Sequence, residues 1–194
     1  MNFERIKVEP LTPAIGAIIH DVDISVPLEK DVISEVESAF HKHLVIFFER
    51  QQLKPKELVE FARQFGKIGY YPFVEGMKEQ PEVVEVTKNQ DEKINFGGLW
   101  HTDTSYLLKP PASSVLYAVE VPETGGATGF ASMYAALAEL SDDLRIRLEG
   151  RWAVSDGTYD SAGNPNTLPI SSAHPMIARH PYSNRDLLYL GRRR

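Results

Sequence analysis

The sequence contains no cysteine among its 194 residues, which excludes disulfide bonds and thiolate metal sites. A chain without cysteines fits a reducing compartment. No segment approaches the roughly 18 consecutive apolar residues of a membrane span. The first five residues also lack the apolar run of a signal peptide. These absences predict a cytoplasmic protein that has no membrane partner.

Basic residues are outnumbered, and the common nucleotide-binding motifs are missing. The chain has 21 lysines and arginines against 27 aspartates and glutamates, a formal net charge of −6, whereas a nucleic-acid-binding surface is usually basic. Neither G-x-G-x-x-G nor G-x-x-x-x-G-K-S/T occurs. We therefore expect no nucleic acid partner. The length and ordinary composition predict a single domain over residues 1–194.

Hydrophobic periodicity divides the chain into many short strands and a few helices. The predicted helices cover residues 28–43, 54–65, 132–140 and 142–148. The predicted strands cover residues 6–11, 14–20, 44–48, 83–87, 113–121 and 152–154, with a hairpin of 175–180 and 186–190. Two polar, glycine-containing stretches, 88–98 and 156–172, predict loops. This pattern favours a mainly β (α+β) fold, a β-barrel or jelly roll with peripheral helices.

His101 and Asp103 are the candidate metal ligands. They lie two residues apart in a segment with the pattern of a strand or strand end, so both side chains would point to one face. An imidazole and a carboxylate on one face form two thirds of a 2-His-1-carboxylate facial triad, which leaves coordination positions open. The alternative is a strand-end histidine bonded to a nearby aspartate, and the spacing alone favours that reading.

Four further blocks of sequence occur in a fixed order. The first block consists of residues 15–17 and 22–25, and the second of residues 43–48 and 61–66. The third is W-H-T-D-T-S-Y at 100–106, followed by prolines at 110–111. The fourth consists of residues 121–122, 125–128 and 135–136. His-Pro pairs at 174–175 and 180–181 follow. Over nearly the whole chain, these blocks resemble the taurine/2,4-dichlorophenoxyacetate dioxygenase family, which depends on iron(II) and 2-oxoglutarate.

The resemblance implies a double-stranded β-helix, or jelly-roll, fold. It implies His101 and Asp103 as Fe(II) ligands and Thr128 as a hydroxyl donor to the distal carboxylate of the co-substrate 2-oxoglutarate. Without the resemblance, a tight turn explains Gly125-Gly126-Ala127-Thr128. The implied reaction uses dioxygen to hydroxylate a small organic molecule, often an anionic one, and releases succinate and CO2.

The chain departs from the family pattern near its end. The family's second histidine ligand and its 2-oxoglutarate-binding arginine have no counterpart before Arg194. His41 and His43, near a helix end, predict surface or helix-dipole roles. We therefore expect an incomplete jelly roll, truncated before the family's C-terminal strands, and a chain that is inactive or nearly so. Two alternatives stay open, a non-catalytic jelly-roll binding module and a cupin-type hydrolase or isomerase. Homo-oligomerisation also stays open.

Tyr71 and Phe73 are the candidate substrate residues. The family's taurine enzymes carry a histidine and a tyrosine at positions that here look like Tyr71 and Val74. Tyr71 would thus replace a histidine, which can carry a positive charge, and Val74 would replace a hydrogen-bonding tyrosine. Both changes argue against tight taurine binding. With Tyr70, these aromatics predict a more aromatic pocket, and ordinary core packing explains them equally.

Overall fold

The computed structural model describes residues 3–69, 71, 73–89, 91–93, 97–158 and 170–191. These residues divide into two compact units. The first unit contains Met1–Ile68 and Val115–Ser132, and the second contains Gly69–Ser114 and Met133–Arg194. Within the described ranges, no helix combines the length and the apolar character that crossing a membrane requires.

The first unit is a three-stranded sheet with two helices. Strands β1 (Lys7–Pro10), β2 (Ala17–His20) and β3 (Ile46–Phe48) lie in that order, with β1–β2 antiparallel and β2–β3 parallel. Helix α1 (Lys30–His43) makes the connection that a parallel pair requires. Helix α2 (Pro55–Arg63) begins at Pro55, where a missing N–H costs nothing.

The core of the first unit forms where the apolar faces of the sheet and both helices meet. Ile19 of β2, Val36 and Ala39 of α1, and Phe61 of α2 are almost completely buried in one cluster. Glu35 fixes the N-terminal segment on α1, because its carboxylate accepts the backbone N–H groups of residues 4–6 at 2.9–3.1 Å. These three donors hold the pKa of Glu35 below its ordinary value, against the opposing effect of partial burial.

The second unit contains two small antiparallel sheets and two short helices. Its elements are α3 (Met133–Ala138), α4 (Asp142–Leu148), β4 (Trp152–Asp156), β5 (Ser171–Pro175), β6 (Ile177–Arg179) and β7 (Asp186–Leu188). Strand β4 pairs with β5, and β6 pairs with β7. Ser141 caps α4 by accepting the Leu144 N–H, as a serine before a helix favours. Helix α3 packs against β7.

Most of the predicted elements are present, and two predicted strands are wrong. The four helices and the hairpin of β6 and β7 lie where periodicity placed them. Residues 83–87 and 113–121 form no strand, because no described strand pairs with them, and the backbone hydrogen bonds of Val83 go to the turn at residues 77–80. In the second stretch, Leu116 and Val119 are 80% and 87% exposed. Alternating apolar residues favour a strand only where a neighbouring strand supplies the hydrogen bonds.

The prediction of a loop over residues 156–172 is wrong at both ends. Asp156 closes β4 and Ser171 opens β5. The sequence Ser171-Ser172-Ala173-His174-Pro175 is polar and ends in proline, so propensity gives no strand signal there. Residues 159–169 of this loop, and residues 90 and 94–96 of the predicted loop 88–98, lie outside the described residues.

Candidate metal centre

His101 and Asp103 lie side by side in the second unit. The distance from Nε2 of His101 to Oδ1 of Asp103 is 3.0 Å, and both side chains are about half exposed, at 49% and 58%. The predicted strand is wrong here, because a turn begins at Asp103 and Thr104 adopts a φ of +49°. The two side chains therefore meet through a tight turn, and not through the two-residue repeat of a strand.

The hydrogen bonds of His101 direct its Nε2 toward the Asp103 carboxyl group. Nδ1 lies 2.6 Å from the Leu99 carbonyl oxygen, which can only accept, so Nδ1 must carry a proton. Nε2 faces an aspartate oxygen, which is also an acceptor when ionised. A proton shared between Nε2 and Oδ1 satisfies both atoms, and the same two atoms are the ones that would hold a metal ion. An imidazole nitrogen and a carboxylate oxygen are donors that suit Fe(II).

Two further contacts hold these side chains in place. The Ser114 hydroxyl donates to Oδ2 of Asp103 at 2.8 Å and leaves Oδ1 facing the histidine. Gly97 has a φ of +67°, and a Cβ built there would lie 3.2 Å from Cε1 of His101. The backbone thus approaches the imidazole closely enough to favour glycine at position 97. Such outer contacts orient ligands and raise metal affinity.

Buried polar groups and strain are concentrated in the turn after Asp103. The hydroxyls of Thr104 and Tyr106 are buried, and that of Thr104 has no hydrogen-bond partner among the described residues, whereas that of Tyr106 faces the Tyr71 phenol. Thr104 is β-branched with a positive φ, a conformation that such residues rarely adopt. Strain and unsatisfied polar groups of this kind are typical of functional sites. The turn therefore has the physical signature of a site, in addition to its candidate ligands.

Both predicted substrate residues lie in an aromatic row beside this turn. The rings of Tyr71 and Phe73 are 6.0 Å apart, and Phe73 lies 5.1 Å from the ring of Tyr106. Burial raises the pKa of the Tyr106 phenol, and the Tyr71 phenol and the Asp103 carboxylate add to the effect. The row is therefore next to the candidate ligands. Tyr70 lies outside the described residues.

Thr128 belongs to the first unit, where its side chain is exposed. It follows Gly125 and Gly126, whose φ angles of +81° and +65° make a turn that other residues adopt with strain. The turn that the sequence predicted at this position is therefore present.

A third protein ligand does not join the pair in the part of the chain that the structure describes. No cluster of three or more His, Asp or Glu side chains suited to a metal ion occurs among those residues. His174, in strand β5, hydrogen-bonds instead to the backbone carbonyls of Ser105 and Leu107. Sequence reasoning missed the supporting residues Ser114 and Tyr106, since a serine 11 positions from Asp103 carries no pattern. Tyr106 stood in the third sequence block and could have been found there.

Comparison with known proteins identifies the family to which the chain is similar. The sequence profile described as "Taurine catabolism dioxygenase TauD, TfdA family" matches residues 7–194. An alpha-ketoglutarate-dependent sulfate ester dioxygenase from Pseudomonas putida is 29% identical over 203 residues, which cover 96% of this chain and 66% of that enzyme. The alpha-ketoglutarate-dependent 2,4-dichlorophenoxyacetate dioxygenase of Cupriavidus pinatubonensis is 29% identical over 208 residues, covering 94% and 72%.

A solved structure agrees with these relatives. A taurine dioxygenase from Burkholderia xenovorans matches with a TM-score of 0.80 at 29% identity, over 97% of this chain and 64% of that one. The present chain thus spans about two thirds of the length of the Pseudomonas and Burkholderia proteins. The match confirms the predicted jelly-roll class, and the profile confirms the resemblance. The chain belongs to the taurine catabolism dioxygenase TauD, TfdA family.

Proposed function

We propose that this chain carries the iron-binding turn of an Fe(II)- and 2-oxoglutarate-dependent dioxygenase that hydroxylates a small anionic organic substrate, releasing succinate and CO2. The observation that carries the proposal is that Nε2 of His101 and Oδ1 of Asp103 lie 3.0 Å apart, with each side chain oriented by a second hydrogen bond. Bound iron supplies the oxidising chemistry, with dioxygen and 2-oxoglutarate as co-substrates. The protein supplies ligands, orientation and shielding.

His101 and Asp103 hold the ion in this proposal. The Leu99 carbonyl keeps the proton of His101 on Nδ1 and so directs the lone pair of Nε2 toward the ion. The Ser114 hydroxyl orients the Asp103 carboxylate in the same way. Thr128 donates its hydroxyl to the distal carboxylate of 2-oxoglutarate, a role that rests on the family pattern at Gly125-Gly126-Ala127-Thr128.

Tyr71 and Phe73 contact the substrate in this proposal. The aromatic row that they form with Tyr106 favours a substrate with an apolar body. Two relatives are named for a sulfate ester and for 2,4-dichlorophenoxyacetate, both anionic molecules with an organic body. These names support an anionic organic substrate. Tyr71 and Val74 stand where a taurine enzyme has a histidine and a tyrosine, so we propose that taurine itself binds weakly.

Metal binding by the purified 194-residue chain tests the proposal. Free Mn(II), a redox-stable substitute for Fe(II), is measured by electron paramagnetic resonance during a titration. We expect one site, which His101→Ala weakens by more than the roughly tenfold that loss of an outer contact costs. Because 2-oxoglutarate supplies two further oxygen donors to the same ion, its addition is expected to raise Mn(II) affinity. Thr128→Ala is expected to reduce that increase without changing the binding of metal alone.

His20→Ala is the matched control, because His20 also lies beside a carboxylate, that of Glu9 at 2.8 Å. This variant is expected to bind Mn(II) as the unmodified chain does. Equal binding by the unmodified chain and His101→Ala would contradict the proposal and favour the non-catalytic binding module. A large shift of the Mn(II) spectrum on adding taurine at low concentration would contradict the substrate assignment alone.

A further inference from the structure

His174 joins strand β5 to the turn that follows the candidate ligands. Its Nε2 lies 2.8 Å from the carbonyl oxygen of Ser105 and 3.0 Å from that of Leu107. Carbonyl oxygens can only accept, so Nε2 must carry a proton and share it between them. The two carbonyls come two and four residues after Asp103. One imidazole therefore bonds both ends of the segment that contains Tyr106.

The other strand of the same sheet reaches the same segment. Gly157 directly follows β4, and a Cβ built on it would lie 2.7 Å from Cγ of Tyr106. Real side chains essentially never come that close, so the Tyr106 ring packs directly against the backbone of residue 157. The turn after Asp103 is thus fixed by a hydrogen-bonding side chain from β5 and by a close backbone contact beyond β4.

His174 is itself held firmly. It pairs with Ala153 in the β4–β5 ladder, which runs through five residue pairs. Its ring meets that of Tyr189 edge-on at 5.3 Å. Burial raises the pKa of the Tyr189 phenol, which is consistent with a desolvated environment at this contact. A side chain held on a ladder and against an aromatic ring can transmit the geometry of the sheet to the turn.

We propose that His174 is a positioning residue for the metal centre, which holds the turn 103–107 so that Asp103 faces His101 before any ion arrives. The metal-binding part of this inference rests on the proposed function. The strained φ of Thr104, +49°, is the reason that the turn needs such support, because a strained conformation persists only where its surroundings determine it. A ligand pair fixed in advance binds an ion more tightly than a mobile one.

Hydrogen exchange in the metal-free chain tests the positioning role without reference to metal. The reporter is the Leu107 N–H, which donates to the Thr104 carbonyl at 2.9 Å and closes the turn. His174→Phe keeps a ring but removes the donor, and we expect amide exchange over 103–107 to become about tenfold faster as this turn opens locally. His174→Gln keeps an N–H donor and is expected to restore slow exchange. Exchange in β1 and β2 is the internal control.

Metal affinity gives the second readout. His174→Phe is expected to weaken Mn(II) binding about tenfold, the lower end of the effect of an outer-shell partner, and His174→Gln to recover most of it. His20→Phe is the matched control and is expected to change neither quantity. If the unmodified chain binds no Mn(II), the proposed function fails, whereas the exchange data still decide the role of His174.

Unchanged exchange over 103–107 in His174→Phe would overturn the inference, as would equal behaviour of the Phe and Gln variants. If His174→Phe shows no cooperative melting transition, Gly157→Ala takes its place, because it acts on the same turn through Tyr106. That variant is expected to speed exchange over 103–107 and to leave β1 and β2 unchanged. Slow exchange over 103–107 in Gly157→Ala would likewise overturn the inference.

Discussion

Two histidine–carboxylate pairs occur in this chain, one in each compact unit. In the first unit, Nε2 of His20 lies 2.8 Å from Oε2 of Glu9, and in the second, Nε2 of His101 lies 3.0 Å from Oδ1 of Asp103. The partner residues are acidic in both cases, and neither acid is buried. By distance alone, the pairs are equivalent.

The surroundings of the two pairs differ. His20 and Glu9 lie on neighbouring strands of a regular antiparallel ladder, where side chains meet across the strands without special support. No other side-chain hydrogen bond to His20 or Glu9 occurs among the described residues. His101 and Asp103 each have a second hydrogen bond, to the Leu99 carbonyl and the Ser114 hydroxyl. A site is thus distinguished by what orients each ligand, rather than by the contact between ligands.

The largest expected effect comes from neutralising the acid in each pair. Asp103→Asn keeps the size of the side chain but removes the charge that attracts the ion. We expect it to abolish measurable Mn(II) binding, a loss above the roughly 10–100-fold that outer contacts cost. Glu9→Gln makes the same chemical change in the other pair and is expected to leave Mn(II) affinity unchanged. Titrations followed by electron paramagnetic resonance measure both.

Equal losses in the two variants would mean that metal binding follows negative charge in general, and the distinction between the pairs would disappear. A loss in Glu9→Gln alone would move the candidate site to the first unit.

A smaller effect is expected from a methyl group placed beside the imidazole. Gly97→Ala introduces a Cβ 3.2 Å from Cε1 of His101, whereas Gly150→Ala, at a φ of +69°, meets nothing within 4 Å. Both variants should lower the free energy of unfolding by about 1 kcal/mol, because alanine is strained at positive φ. Only Gly97→Ala should also weaken Mn(II) binding, by up to about tenfold. Urea unfolding and metal titration together separate strain from displacement of the ring.

If Gly150→Ala weakens Mn(II) binding as much as Gly97→Ala does, the loss reflects general destabilisation, and the close approach at position 97 has no special role.

The sequence predicts those parts of the fold that depend on local periodicity. The apolar stripe of 54–65, with Pro55 at its first turn, becomes helix α2, and the polar turn between β6 and β7 becomes a hairpin. Residues 113–121 are rich in apolar and β-branched residues, as a strand is, yet Leu116 is exposed and no described strand pairs with this segment. Pairing is a non-local property, which a single segment cannot encode.

The sequence predicts that the His101 and Asp103 side chains lie together, but it does not predict the residues that support them. The two side chains meet through a turn, so the predicted shared strand face is wrong, and their role as metal ligands stays a prediction. Ser114 and His174 contact the turn from 11 and 69 positions away from their partners, so no local pattern points to them. Side chains brought together by tertiary structure are the part of a site that spacing cannot show.

His43 differs from the histidines of both pairs, because no described carboxylate pairs with its ring. Substituting it is expected to have the smallest effect on the metal site. Of the two roles predicted for it, the surface role is wrong, because the residue is 8% exposed, and its Nε2 has no hydrogen-bond partner in the described part of the chain. His43 does lie in the last turn of α1, so the helix-dipole role stays a prediction. Burial, together with the neighbouring charge of Lys42, lowers its pKa below the ordinary value of 6.5. The folded chain therefore takes up a proton at His43 less readily than the unfolded chain does.

The sign of the pH dependence follows from this lowered pKa. Above about pH 6.5 the ring is neutral in both states and stability is fully present. As the pH falls, the unfolded chain is protonated first, so the free energy of unfolding decreases until the pH reaches the lowered pKa of the folded chain. His43→Met, which cannot titrate, should show a shallower decrease in urea unfolding between about pH 7.5 and 5.5. Equal slopes in both proteins would show that His43 is not the group responsible. Because His43 lies in the first unit and the candidate ligands lie in the second, Mn(II) affinity at constant pH should not change in this variant.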